Sequence, residues 1–278
     1  MKNEYRYTWI DQIPDDGVKE ADILSFGSES CIIPVLHIER CWSLFLSLIE
    51  KEKCLKIITP RIAQSEIKEI IDLIDRIFDL DISIDIVIND LGLLKYCSTR
   101  NNVFNIHIGR QLSRSLVDCP WHEEILKNEE IDVQEIMRGH PFNSENLIRI
   151  LKGRGVRGIE LNSLEGGMNL QSLRECDMEL SIHEKNYLIT CGRTCLAKRI
   201  LQGVSCYELC DKQFELTLTG KWLSVFQNQN EVSDYERKIL DGLSMRGKEV
   251  ILPQTLSLSE MCSCGVDVII LSKTNKIN

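Results

Sequence analysis

Four cysteines crowd one short stretch of this sequence, and thiols at such density can hold a metal. The segment CGRTCLAKRILQGVSCYELC places Cys191, Cys195, Cys206 and Cys210 within twenty residues. Cys206 and Cys210 stand four apart, so on a helix their thiols share a face. Arg193, Lys198 and Arg199 lie nearby. Positive charge lowers a thiol pKa and offsets the negative charge of a thiolate-ligated centre. Three readings fit this constellation. An iron–sulfur cluster takes four thiolates. A structural zinc also accepts four, but usually through Cys-x-x-Cys pairs, and this sequence has none. Buried packing is the third, since cysteine behaves as a small hydrophobe, although four in twenty residues is dense for it. The fourth ligand could be Cys191 or a distant cysteine. Visible colour in an oxygen-free preparation separates cluster from zinc.

The elements that must position these thiols follow from apolar periodicity. Short apolar runs at Ala21–Phe26, Leu55–Thr59, Ile84–Ile88, Val103–Ile108, Val156–Leu161, Met178–Ile182, Tyr187–Thr190, Phe214–Thr219 and Val266–Leu271 read as strands. Helical patterns fall between them, at Trp42–Leu48, 63–79, Leu91–Cys97, Val133–Met137, Ser144–Leu151 and Asp234–Leu243, with Ser65 as an N-cap. About eight strands alternating with helices predict an α/β fold, a TIM-like (β/α)8 barrel, in a single domain over residues 1–278. An open doubly wound sheet competes, but no glycine-rich fingerprint follows the first run. Sites in such barrels lie where strands end and loops begin. Cys31, five residues after the first run, holds such a position, and so does Cys195 after Tyr187–Thr190. Cys41, Cys54, Cys97 and Cys176 read as packing residues, Cys119 as a loop residue before Pro120. Cys262 and Cys264 form a rival ligand pair before the last run.

Composition bounds the rest. The 278 residues carry twelve cysteines, 43% hydrophobic and 27% charged residues, and a net charge of −9. That is enough apolar material for a sizeable core. The acidic balance disfavours a nucleic-acid footprint, though RNA presented by a basic partner would escape this test. No run reaches a membrane span of about 18 residues, and the N-terminus has no signal-peptide core. The chain reads as cytoplasmic, with reduced thiols. It also ends soon after its last apolar run, which leaves no room for a further C-terminal domain.

Four passages together resemble the collagenase-like peptidase family U-32, and within it the smaller anaerobic ubiquinone-biosynthesis accessory proteins of the UbiV type. They are ADILSFGSESC (21–31), DIVINDLGLLKYC (85–97), GRTCLAKR (192–199) and SCYELC (205–210). The resemblance implies that Cys31, Cys195, Cys206 and Cys210 ligate a [4Fe-4S] cluster, with Cys191 a neighbour. It implies oxygen-independent hydroxylation, in quinone biosynthesis or a related modification, by a hetero-oligomer of two related subunits. Relatives that hydroxylate RNA bases implicate prephenate as oxygen donor. A non-catalytic, cluster-bearing scaffold subunit is the alternative. A peptidase is a weaker one, for the sequence has no Gly-x-Ser-x-Gly elbow or His-Glu-x-x-His motif. Two departures stand out: IIPVL follows Cys31 where relatives carry a basic segment, and DKQ follows Cys210 where a further cysteine often stands.

Candidate catalytic groups are Asp90, after the strand Ile84–Ile88, and His183, after Met178–Ile182. Asp90 could act as a base or simply cap the helix Leu91–Cys97. Glu184 accompanies His183. Arg110 and Arg114, with His107, could bind a carboxylate or phosphate through forked donors, or face solvent. His140, Asn143 and Glu160 sit near expected strand ends, where His140 beside Pro141 also suits a turn.

Overall fold

The computed structural model describes residues 1–51, 54–100, 103–114, 126–162, 168–210, 212–215, 242–255 and 265–273. Eight parallel strands close a barrel in chain order: β1 (Lys2–Tyr7), β2 (Ile23–Gly27), β3 (Cys54–Ile58), β4 (Ile84–Ile88), β5 (Phe104–Ile108), β6 (Val156–Leu161), β7 (Glu179–His183) and β12 (Val268–Ser272), which returns to pair with β1. Helices fill the connections, among them Ile32–Arg40, Trp42–Glu50, Ile67–Phe78, Leu91–Cys97 and Glu145–Gly153. This is the expected TIM-like α/β barrel. A second sheet, antiparallel, is inserted between β7 and β12. It contains β8 (Lys185–Cys191), β9 (Gln213–Glu215), β10 (Ser244–Arg246) and β11 (Glu249–Thr255), in the order β8-β11-β10-β9. Among the described residues no single helix is long and apolar enough to cross a membrane.

Alternation along each strand sorts its side chains onto two faces. The apolar set, such as Leu24, Phe26, Ile57, Ile86, Ile106 and Ile159, packs outward against the helices. Ile70, Leu73, Ile74 and Ile77 supply the matching stripe of one helix at i, i+3, i+4 and i+7. The main core is therefore the shell between strands and helices.

The other face points into the lumen, and there the barrel is charged. Glu4, Arg6, Lys56, Glu160 and His183 are all buried. Lys56 Nζ lies 2.9 Å from Glu4 Oε2. Arg6 Nη2 donates to Glu4 Oε1 at 2.5 Å, and Arg6 Nη1 donates to Glu160 Oε2 at 3.0 Å. Two strands separate β1 from β6 in the barrel order, so the Arg6–Glu160 pair crosses the lumen. Ser25 Oγ adds a hydrogen bond to Glu4 at 2.6 Å. Burial alone would raise both carboxyls, but Arg6 holds Glu4 below the ordinary carboxylate range and Glu160 well below it.

The structure departs from the sequence reading at four places. Lys2–Tyr7 is a barrel strand that the apolar-run reading passes over, because its inward residues Glu4 and Arg6 are charged. Tyr187–Thr190 belongs to β8 of the inserted sheet, not to the barrel, and pairs antiparallel with β11. Cys195 thus follows a strand of the insert. Of Phe214–Thr219 only Phe214 and Glu215 are described, in β9 of the same sheet. The helix expected at 63–79 begins at Ile67 after a tight turn at Gln64–Glu66, where Glu66 Oε2, not Ser65, accepts from Ala63 N at 3.0 Å. The run Asp234–Leu243 lies almost wholly outside the described residues.

Removing one member of a buried ion network strands its partner. Lys56→Met should cost about 3–5 kcal/mol in urea denaturation, and the double variant Glu4→Gln/Lys56→Met should recover part of that loss as a coupling energy. The lumen also sets a pH dependence. Burial, followed by the nearby Arg110, lowers the pKa of His183 from 6.5. A base with a lowered folded pKa contributes stability that is present above 6.5 and lost as pH falls. Glu4 and Glu160 add a further loss below 4.5. Urea midpoints should therefore fall from pH 7 to about 5, and His183→Gln should flatten that slope.

Candidate functional site

The site is assembled at the barrel mouth, where the inserted sheet folds back over the strand ends. Its first component leaves β2 through Gly27, which has φ +113°. A Cβ there would stand 2.4 Å from the Ile58 carbonyl oxygen, so only glycine allows this turn. Ser28 Oγ then accepts from the backbone N–H groups of Ser30 and Cys31, both at 3.2 Å. This turn delivers Cys31 at the N-cap of helix Ile32–Arg40.

The insert supplies the other thiols. Cys195 caps helix Leu196–Ile200, its Sγ accepting from Lys198 N at 3.4 Å. Cys206 opens the helical turn Cys206–Leu209, and Cys210 closes it through Cys210 N to Cys206 O at 3.0 Å. Cys31, Cys195, Cys206 and Cys210 line one small cavity, bordered by Ile32, Ile33, Glu66, Leu209, Lys198 and Lys248. Lys248 stands in the turn between β10 and β11, at the meeting of this cavity with two neighbouring clefts. Cys191 lines one of those clefts, with Arg61 and Arg193, and not the four-cysteine cavity. Burial, then the nearby Glu249 and Glu29, pushes its thiol up to about 12. Burial also raises the Cys31 thiol, with Lys248 opposing and Cys195 and Cys206 adding to the rise.

Two metal centres accept four thiolates. No three of the four sulfurs lie within 4.8 Å of one another. A tetrahedral zinc with bonds of about 2.3 Å draws its sulfurs to about 3.8 Å. A cuboidal cluster binds each thiolate through a different iron, so its sulfurs sit farther apart. Four thiolates are a donor set that a cluster and a structural zinc share.

Beside this cavity, a cleft lined by Arg6, Glu29, Arg246, Lys248, Glu249 and Lys273 shares Cys31, Cys195 and Cys210 with it. Arg6 links that cleft to the lumen. Arg110 and Asn162 dock the insert. Arg110 is buried and grips Glu29 with Nε to Oε2 at 2.8 Å and Nη2 to Oε1 at 2.8 Å. It also donates to the Asn186 carbonyl at 2.7 Å and to Asn162 Oδ1 at 3.1 Å. Asn162 exchanges two 3.1 Å hydrogen bonds with the Leu188 backbone, and Arg114 donates to the Ile189 carbonyl at 2.8 Å. Burial alone would raise the Glu29 carboxyl, but Arg110 holds it below the ordinary range. The forked donors of Arg110 and Arg114 thus serve internal partners, an outcome that neither the ligand-binding nor the solvent-facing expectation contains.

The remaining candidates are dispersed. Asp90 caps helix Leu91–Cys97, accepting from Gly92 N at 2.8 Å and Leu93 N at 3.1 Å. His183 lies inside the lumen, its Nε2 3.4 Å from both Glu160 Oε2 and Arg6 Nη1. Neither lines the cysteine cavity or the two clefts beside it. His107 sits low in the lumen, 3.4 Å from Asp85. His140 orders a turn, with Nε2 2.7 Å from the Ser113 carbonyl and Nδ1 accepting from Phe142 N. Asn143 Nδ2 donates to the Asn169 carbonyl. Glu184 is within 3.8 Å of Lys185. Among the cysteines read as packing, Cys97 is buried, whereas Cys54 is exposed and touches Asp85 at 3.6 Å. Cys119, Cys262 and Cys264 lie outside the described residues. Sequence reading did not single out Arg6, Glu29, Asn162 or Lys248. The only signal for Arg6 and Glu4 is their alternation with tyrosines in KNEYRY.

The sequence matches no family model and no curated protein, and the fold matches no solved structure.

The docking role of Arg110 is open to test. Arg110→Ala leaves Glu29 as a buried unpaired charge and should cost about 3–5 kcal/mol. Because it releases β8, limited proteolysis should cut the segment after Cys191 faster while the barrel stays resistant. Arg110→Lys, which keeps the charge but loses the fork, should fall between.

Proposed function

We propose that this chain binds a [4Fe-4S] cluster through Cys31, Cys195, Cys206 and Cys210 and serves an oxygen-independent hydroxylation, paired with a related subunit. One observation carries the reading: four thiols from two separate parts of the chain line one cavity, the ligand number a [4Fe-4S] cluster takes. When bound, such a cluster supplies one-electron chemistry. Cys31 belongs to the barrel and the other three to the insert, so their shared ligation would couple docking of the insert to the folded barrel. Lys198 and Lys248 border the cavity and offset negative charge on the thiolates.

The adjoining cleft suits a small anionic partner of the reaction. Lys248 and Lys273 line it beside the thiols and supply ammonium groups that attract a carboxylate, while Arg6 and Arg246 are held by Glu4, Glu160 and Glu249. A carboxylate-bearing oxygen donor of the prephenate kind fits that chemistry. The acceptor is an aromatic ring, as in a quinone precursor. Ile33, Ile200 and Tyr207 are substantially exposed apolar side chains on the helices that carry the cysteines, a surface suited to a partner subunit.

A second reading, a cluster-bearing subunit that supports a catalytic partner, is favoured by the positions of Asp90 and His183. Neither reaches the cleft. A fully thiolate-ligated cluster leans the same way, toward electron transfer or structure.

Anaerobic purification with iron, sulfide and zinc analysis tests the cluster. About four irons and four sulfides per chain are expected, with a paramagnetic signal after reduction. Cys31→Ala should lose most of the iron, and Cys191→Ala should keep it. A colourless, iron-free wild type, or the reverse pattern in the two variants, defeats the assignment. Turnover by the isolated chain would exclude the support role.

A further inference from the structure

A second group of ligand atoms lies elsewhere on the barrel, and none of its members takes part in the site above. Asp11 stands on the turn Ile10–Gln12 that follows β1. His37 lies in the last turn of helix Ile32–Arg40. Cys41 follows at the elbow where that helix meets helix Trp42–Glu50 at 84°. His37 and Cys41 are four apart and share a helical face. His37 Nε2 is 3.1 Å from Asp11 Oδ2 and 3.3 Å from Cys41 Sγ, and all three ligand atoms lie within 4.8 Å of one another.

We propose that Asp11, His37 and Cys41 bind one divalent transition metal of the zinc class. The decisive feature is that carboxylate and thiol face the same ring nitrogen. In a Cys–His–Asp catalytic relay the acid holds the other nitrogen, leaving the first for the nucleophile. Here Nε2 has a single proton or a single lone pair to divide between two partners. A cation at the centre of the three satisfies all of them at once. The spacing agrees. Tetrahedral zinc places nitrogen and oxygen ligands about 3.3 Å apart and nitrogen and sulfur ligands about 3.6 Å apart. Imidazole, thiolate and carboxylate are zinc's ordinary donors, and three protein ligands leave a fourth position for water.

The surroundings support the arrangement. The Trp9 ring meets the His37 ring edge to face at 5.2 Å, and Tyr207 packs on Trp9 at 5.0 Å and near His37 at 6.0 Å. These rings restrain the imidazole. The side chains of Asp11 and His37 remain 33% and 17% exposed, which leaves a path for the ion. A bound metal would tie the loop after β1 to the helix elbow, beneath the segment that carries Cys206.

Equilibrium dialysis of the full-length, anaerobically purified chain against zinc tests this, with cobalt as the optical probe. Wild type and Cys206→Ser should each bind zinc at this site and show a thiolate-to-cobalt charge-transfer band. His37→Ala and Cys41→Ser should weaken binding by more than about 100-fold, beyond the loss of an outer-shell partner. Cys41→Ser should also abolish the band in a Cys206→Ser background. Asp11→Asn, nearly isosteric, repeats the test without disturbing packing, and far-ultraviolet circular dichroism checks each fold. Zinc binding and the cobalt band unchanged in folded Cys41→Ser/Cys206→Ser and Asp11→Asn would overturn the site, as would a wild type that binds no zinc.

Discussion

A positive charge in the middle of the barrel governs much of this structure. Arg6 has almost no water around it, so its guanidinium must be neutralised by protein. Glu4 on its own strand and Glu160 from across the lumen do this. Neutralisation across the lumen also ties β1 to β6, and through Lys56 to β3. Strands that are not neighbours in the sheet are thereby fixed relative to each other. An apolar lumen would bind the strands by packing alone. This one binds them through directional ion pairs whose geometry must be kept.

The same principle continues upward to the mouth. Arg110 neutralises Glu29 and then spends its remaining donors on the Asn186 carbonyl and on Asn162. In this way an ion pair belonging to the barrel holds the backbone of an inserted sheet. Glu29 is two residues before Cys31, and the insert carries Cys195, Cys206 and Cys210. One buried pair therefore brings the two halves of the cysteine cavity together. Loss of docking would separate Cys31 from the other three thiols without touching any of them.

Much of the fold is legible in the residues. Outward strand faces are runs of isoleucine, leucine and phenylalanine, and helix Ile67–Phe78 announces its buried stripe. The capping option for Asp90 is also readable, since an aspartate directly before a helical pattern satisfies its first amides. Other features escape the same reading for definite reasons. β1 hides because a strand lining a charged lumen alternates charge with aromatic rather than polar with apolar residues. β8 is misplaced because four apolar residues look the same in a parallel barrel and in an antiparallel insert. His37 and Cys41 share a readable spacing, but Asp11 joins them only through the fold.

Sequence alone determined the barrel, through the alternation of apolar runs with helical patterns, and the local pairing of Cys206 with Cys210, through one turn of helix. Tertiary structure alone decided which cation meets which anion and which sheet each strand joins. It also decided that Cys31 shares a cavity with thiols more than one hundred and sixty positions away. The physical reason is range. Helical and strand periodicity act over a few residues and leave their pattern in neighbouring letters. Charge neutralisation in a water-free interior depends on distance in space, which chain order does not encode.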